Sequence, residues 1–495
     1  MEPMVRRRIE VGSVAARSFA AAGRRVAAAW IAAAAIAGTA GPLAAQTTTS
    51  PLPSSIESVE GIIVADVVEF ATLPDVDGEA ARMMLLVDEP ATRRLFVNDM
   101  RGRLYSVSYD GRTVELYLDL DDPRWGVAVE SQGRERGFQS FAFHPDFGRE
   151  GAPGYGKFYT WTDTRNTKPK PDFKPGGGDA THHTVLLEWT ARNAASPTYD
   201  GGAPRELLRL EQPFRNHNGG HIAFNPLARP GDPDYGKLYV GVADGGSGGD
   251  PLRLAQNMQS PFGKVLRIDP LGSNGVRGAY GIPADNPFVG QRRALGEIYA
   301  LGVRNPQRFG WDPANGTMYL ADIGQNVVEE VSRVTPGANL GWNLWEGSFR
   351  YAGNRGVDVS KPRSDPAMTY PVVEYAHGDP LLQRRVAVTG IVVHRSDAVP
   401  QLRGRVLFGD FPSGEIFHFD ADNPPEGGNR GFGRVLLRQG GAPTTLLELI
   451  RARNRAQGKP PAERADLRFG EDATGRVFLL NKHDGTIRMI VPSGA

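Results

Sequence analysis

The sequence predicts an all-β chain: a six-bladed β-propeller of four-stranded antiparallel blades with long rim loops. Three observations carry the prediction. A short strand pattern recurs six times. Glycine (61) and proline (38) are abundant among the 495 residues, which favours many turns and short strands over long helices. Polar loops too long for plain connections separate the repeats.

Each repeat is a small or basic pair leading into an apolar and aromatic run that ends near an acidic or polar turn. The copies are residues 93–97, 156–160, 236–240, 316–320, 404–408 and 475–479. They recur every 60 to 90 residues or so, a period that signals a repeat architecture. β-Branched and aromatic content makes them strands. A second strand-like run follows, as at residues 104–107 and 415–419, so each interval has room for a four-stranded blade and a loop. Two β-sandwiches share this strand chemistry, but six spaced copies without a linker favour one closed ring. The loops at residues 164–181, 422–433 and 451–466 are expected to rim the central channel.

Three segments are expected. Residues 1–45 read as a cleaved export signal: Arg6, Arg7, Arg8, Arg24 and Arg25 precede an apolar run at 26–37, and Leu43-Ala44-Ala45 resembles a cleavage site before Gln46. A membrane anchor is the alternative, but the run falls short of the roughly 20 residues needed to span a bilayer. Residues 46–75 are taken as an N-terminal extension and 76–492 as a single propeller catalytic domain. The mature protein is placed in the periplasm or outside the cell, with no integral membrane segment after signal removal. A formal net charge of +1 gives no global field for nucleic acid. The chain has no cysteine, which excludes disulfides, thiolate metal sites and a cysteine nucleophile.

The densest candidate stretch is residues 214–224. It sets His217 beside Gly219 and Gly220 just ahead of a strand, where backbone can approach a ligand closely. Histidine titrates near neutrality and can take a proton from a hydroxyl. A lone loop histidine is more often merely hydrogen-bonded. His221 reads as a strand lead-in residue packed against the turn, and the His182-His183 pair as structural. Asp244 follows the third repeat strand in a glycine-rich turn, where it can orient an imidazole or simply cap the turn. That turn has no Lys-Ser/Thr pair, so a nucleotide site is a weak reading. Arg304 and Asn305 place a cation and an amide together, suited to a carboxylate-bearing ligand. Residues 321–326 carry backbone and side-chain oxygens suited to Ca²⁺. Alone, each is also readable as a turn with a surface ion pair.

Together these segments resemble the glucose/sorbosone dehydrogenase family, which includes soluble dehydrogenases dependent on pyrroloquinoline quinone (PQQ). The matching stretches are residues 135–137, 141–147, 216–220, 244–251, 262–270, 280–288 and 297–301, followed by 304–307, 322–326, 339–342 and 407–411. They stand in family order from about residue 80 to 485. The resemblance implies PQQ and Ca²⁺ as cofactors, a small sugar as substrate and an external electron acceptor. It implies that His217 is the general base and Asp244 an acid beside it. Arg304 and Asn305 would contact the cofactor, the carbonyls of Gly324 and Gln325 would ligate calcium, and Glu135 would lie near the sugar.

The chain departs from the best-known soluble glucose dehydrogenases where they carry a later lysine and an arginine pair for the PQQ carboxylates. Pro412 and Ser413 occupy the lysine region, and residues 464–469 lie near the arginine pair. Arg384 and Arg385 are the candidate replacement cations. His221 stands where those enzymes have a different residue, which makes it a candidate extra pocket group. The expected activity is oxidation of an aldose-type sugar to its lactone or acid. The alternatives are a calcium-dependent lactonase, which needs several carboxylates on one metal, and a cofactor-free binding module such as hedgehog-interacting proteins carry.

Overall fold

The six repeat strands read from the sequence are all strands of the computed structural model, which describes residues 50–56, 61–382 and 386–494. The export signal lies outside the described residues. Strand β1 (Ile62–Thr72) comes first. β2 (Met83–Glu89), β3 (Arg94–Asp99), β4 (Arg103–Ser108) and β5 (Val114–Asp119) form one antiparallel sheet. β6 (Phe138–Phe143), β7 (Lys157–Thr164), β8 (His182–Thr190) and β9 (Arg205–Gln212) form the next. The third holds β10 (Ile222–Phe224), β11 (Leu238–Val242), β12 (Lys264–Ile268) and β13 (Ile298–Leu301). β14 (Pro306–Trp311), β15 (Met318–Asp322) and β16 (Val328–Val334) begin the fourth. A small three-stranded sheet of β17 (Trp345–Glu346), β18 (Phe349–Tyr351) and β19 (Val357–Asp358) intervenes before β20 (Val373–Ala376) completes it.

The remaining strands share one eight-stranded sheet. β21 (Val388–His394), β22 (Arg405–Asp410), β23 (Glu415–Asp420) and β24 (Phe432–Arg438) form one antiparallel half. β25 (Arg468–Glu471), β26 (Val477–Leu480) and β27 (Thr486–Val491) form the other with β1, which pairs antiparallel to β27 and parallel to β24. The lead strands of successive runs touch: β2 with β6, β6 with β10, β14 with β21, β21 with β25 and β25 with β2, while β14 meets β11. The result is all-β and propeller-like.

Each repeat strand is the second strand of its run, with both faces covered by neighbouring sheets. β11 and β15 are buried at every position. A strand buried on both faces reads as a continuous apolar run, which is why the repeats were visible. The residue at the turn before each is left-handed: Gly156, Gly236, Gly316, Gly404 and Gly475 have φ between 67° and 81°, and Arg93 has φ 57°. Glycine takes this conformation without steric cost.

Two expectations are corrected. Residues 62–72, assigned to an N-terminal extension, are the strand that completes the last run. Its exposed and half-buried positions, including Ile62 and Val68, hid its role. The polar segment 451–466, taken as loop, begins inside the helix α1 (Leu446–Ala456). Thr445 caps that helix by accepting from the Glu448 N–H, and Leu446 and Ile450 bury one face. Arg451, Arg453 and Arg455 keep the stretch polar, which made it look like loop.

Four runs share a pin. The acid at or near the end of the second strand accepts the backbone N–H that leads into the first strand: Asp99 from Arg82 (3.3 Å), Asp163 from Gly137 (3.0 Å) and Asp410 from Ala387 (2.7 Å). Asp322 accepts from both Arg304 (2.8 Å) and Asn305 (2.7 Å). The third run differs at this point, and there the candidate site lies.

Candidate active site

In the third run the corresponding acid, Asp244, turns to a side chain instead. Residues 213–221 lead from β9 to β10. Gly220 passes so close to β11 that a Cβ there would stand 1.9 Å from the Gly241 carbonyl, and Gly219 has φ 75°. His217 itself has φ 54°, held by its backbone N–H donating to Glu135 Oε2 at 2.8 Å. This geometry brings His217 Nδ1 to 2.7 Å from Asp244 Oδ1, both side chains buried. The same oxygen accepts the Gly246 N–H (2.9 Å), and Oδ2 accepts the indole N–H of Trp342 (2.8 Å). Nδ1 is thus committed, and Nε2 is the nitrogen that can meet a substrate hydroxyl.

Arg304 and Asn305 lie beside this pair. The Arg304 carbonyl accepts the Asp244 N–H (2.8 Å), and its guanidinium donates to Gln325 Oε1 (3.1 Å) and the Ile323 carbonyl (2.9 Å) while lying over the Trp342 ring. The buried Asn305 Oδ1 has no hydrogen-bond partner. Burial pushes Asp322 up to about 7, against the two backbone N–H groups it accepts. Gln325 Oε1 also accepts the Gly249 N–H (3.1 Å), tying the Asp244 turn to the Gly324 loop. Glu346 Oε1 collects the N–H groups of Gln325, Asn326, Val327 and Val328, which shapes that loop. One oxygen of Glu346 and one of Glu330 are buried without partners. Among the described residues no three His, Cys, Asp or Glu side chains converge on a metal position.

A second cluster, which sequence reasoning largely missed, is cationic. Arg82 donates to the carbonyls of Ser131 (3.1 Å) and Gly133, and Lys482 to that of Arg134 (3.2 Å). Both therefore grip the loop that carries Glu135. Arg464 and Arg468 lie over the Phe411 ring, and the buried Arg468 Nε has no partner. Asp466 pairs with Arg464 and His483. Burial first, and then the like charges of Arg468, Arg82 and Arg464, push Lys482 well below the usual lysine range. Burial and Arg464 push Arg468 down to about 10. The available signal was position: Lys482 follows the sixth repeat strand much as Asp244 follows the third.

Other expectations fall out differently. Arg384 and Arg385 lie outside the described residues. His221 is a packed lead-in residue rather than a partner of the His217 pair: its Nδ1 lies 3.3 Å from Ser140 Oγ, and its ring packs edge-on to Phe309. Burial, with Arg308 beside it, pushes it well below the usual histidine range. Glu135, expected beside the sugar, is exposed and lies next to His217, whose backbone N–H its Oε2 accepts. His182 and His183 are structural, contacting Asn218 and Arg209.

The chain is similar to known proteins in sequence and in fold. The chain is 28% identical to the HIPL1 protein of Arabidopsis thaliana over 366 residues, 67% of this chain and 51% of that protein, so it spans about half the length of that relative. It is 28% identical to the aldose sugar dehydrogenase YliI of Escherichia coli over 194 residues, 39% of this chain and 45% of that one. The structure of the PQQ-bound form of aldose sugar dehydrogenase from Streptomyces coelicolor superposes with a TM-score of 0.53 at 19% identity, covering 86% of this chain and 96% of that one, a likeness of fold. The glucose/sorbosone dehydrogenase family model matches residues 82–433, well over half of the sequence. The chain belongs to the glucose/sorbosone dehydrogenase family.

Proposed function

We propose that this protein is a quinoprotein sugar dehydrogenase on a six-bladed propeller. It would oxidise an aldose-type sugar to its lactone or acid with PQQ and Ca²⁺, and pass the electrons to an external acceptor. The carrying observation is the buried His217–Asp244 pair, 2.7 Å apart, joined through the Glu135 loop to a cluster of buried and half-buried cations. We further propose that residues 1–45 are removed on export and that the protein works in the periplasm or outside the cell. No helix among the described residues is long and apolar enough to cross a membrane.

The residues fit both groups. Clustered, partly desolvated cations in excess of nearby carboxylates are costly until an anion joins them, and PQQ carries several carboxylates. Arg468 and Lys482, with Arg82 and Arg464 around them, would hold those carboxylates. Arg304 and Asn305, whose Oδ1 lacks a partner, would hold the quinone end. The carbonyls of Gly324 and Gln325 would supply oxygen ligands to calcium, and Glu330 and Glu346 each keep one buried oxygen without a partner. When bound, PQQ supplies the two-electron acceptor and Ca²⁺ polarises it.

The protein's own part is proton transfer and orientation. His217 takes the hydroxyl proton at Nε2, because Nδ1 is engaged by Asp244. Asp244 fixes the ring and stabilises the imidazolium that results. Glu135 holds the backbone of His217 in its left-handed conformation. Reconstitution of the purified protein with PQQ and Ca²⁺, followed by dye reduction over a panel of sugars, tests the proposal. PQQ-dependent turnover of an aldose is expected; absence of both PQQ binding and turnover would overturn it in favour of a binding module.

A further inference from the structure

We propose that Trp342 is a positioning residue for the His217–Asp244 pair, acting through its indole N–H on Asp244 Oδ2. The inference rests on the reading of His217 as the base and adds a residue to it. In four other runs the corresponding acid accepts a backbone N–H that leads into the first strand. Asp244 is released from that duty and faces a side-chain imidazole. One oxygen is shared between His217 and the Gly246 N–H; the other meets the Trp342 indole at 2.8 Å. Asp244 is only 2% exposed, so without the indole Oδ2 would be a buried acceptor lacking its partner.

The indole is itself held in place. The Trp342 backbone N–H donates to the Gly302 carbonyl (2.9 Å), its ring packs on Tyr351 at 4.9 Å between centroids, and Arg304 lies 5.6 Å over it. Arg304 in turn accepts the Asp244 N–H, so ring and carboxylate are anchored to one segment. Two consequences follow. The carboxylate cannot rotate to exchange its oxygens, so His217 keeps its proton on Nδ1 and its lone pair on Nε2. The indole also draws charge from the carboxylate, which limits how strongly Asp244 favours the imidazolium.

The test is Trp342→Phe in the full chain loaded with PQQ and Ca²⁺, with Asp244→Asn and the double variant beside it. For Trp342→Phe we expect kcat to fall about tenfold with KM little changed, the loss of one hydrogen bond to a charged group. The acid limb of its pH–rate profile should move to higher pH, because Asp244 without the indole holds the imidazolium more firmly. In the Asp244→Asn background the same change should add almost nothing. An equal loss in both backgrounds, or an unmoved pH profile, would overturn the proposal. If Trp342→Phe does not fold, the indole ¹⁵N–¹H resonance of Trp342 decides: it should shift upfield and exchange faster in Asp244→Asn, and an unchanged resonance is contrary. Failure of the base reading looks different, since His217→Ala would then retain turnover whatever Trp342 does.

Discussion

His217 Nδ1 and Asp244 Oδ1 lie 2.7 Å apart although they belong to the loop ahead of β10 and the turn after β11. The contact exists because residues 218–220 hold His217 back from β10 while glycine lets that loop lie on β11. Asp244 can then meet an imidazole where its counterparts meet backbone.

Removing the His217 imidazole from this contact should be the most damaging change. We expect His217→Ala to lower sugar oxidation about 10²- to 10⁴-fold while leaving PQQ binding largely intact. Asp244→Asn should cost less, and Arg304→Ala should weaken both PQQ affinity and turnover. Steady-state kinetics beside a PQQ titration for each variant checks all three.

Chelation should act on activity and stability together. We expect EDTA to abolish turnover and lower the melting temperature, and Ca²⁺ to restore both, since a metal bound only by the native state stabilises that state. Full activity after EDTA, with no calcium found by elemental analysis, would remove calcium from the mechanism.

Lys482→Met should separate stability from cofactor affinity. The change deletes one of several clustered like charges, so the cofactor-free protein should melt higher. PQQ should bind about tenfold more weakly or worse, having lost a charge-assisted contact. Differential scanning calorimetry and a fluorescence titration read the two effects. A lower melting temperature with unchanged PQQ affinity would contradict both parts.

Gly220→Ala tests the backbone approach. A Cβ 1.9 Å from the Gly241 carbonyl forces the loop to move, at a cost of about 1–3 kcal/mol. The displacement carries His217 with it, so turnover should fall more than stability alone explains. Urea unfolding and kinetics on the same preparation compare the two losses.

The contribution of His144 to stability should fall as the solution is acidified from neutrality. Burial pushes His144 down to about 4, and its Nδ1 accepts the Asp146 N–H, so it is neutral in the folded protein. The unfolded chain takes up that proton near pH 6.5, before the folded one does. The contribution is therefore complete above about pH 6.5 and is lost as pH falls toward 4, about 3 kcal/mol in all. His144→Asn should flatten this part of the stability profile, measured by urea unfolding at a series of pH values.

The sequence alone determined the repeat strands, their number, and the segments that hold His217, Asp244, Arg304 and Gln325. These were legible because a strand buried on both faces must be apolar throughout, and because a left-handed turn selects glycine. β1 was not legible: a strand on the outside of its run keeps exposed positions and lacks the continuous apolar pattern. Only the tertiary structure decided which partners meet. It released Asp244 from the backbone pin of the other runs, set Trp342 on its far oxygen, turned Glu135 to the His217 backbone, and gathered Arg82, Arg464, Arg468 and Lys482 from opposite ends of the chain. The packing of the first run on the last gathers these cations. It brings β2 against β25, so residues hundreds of positions apart become neighbours and their charges act on each other only there.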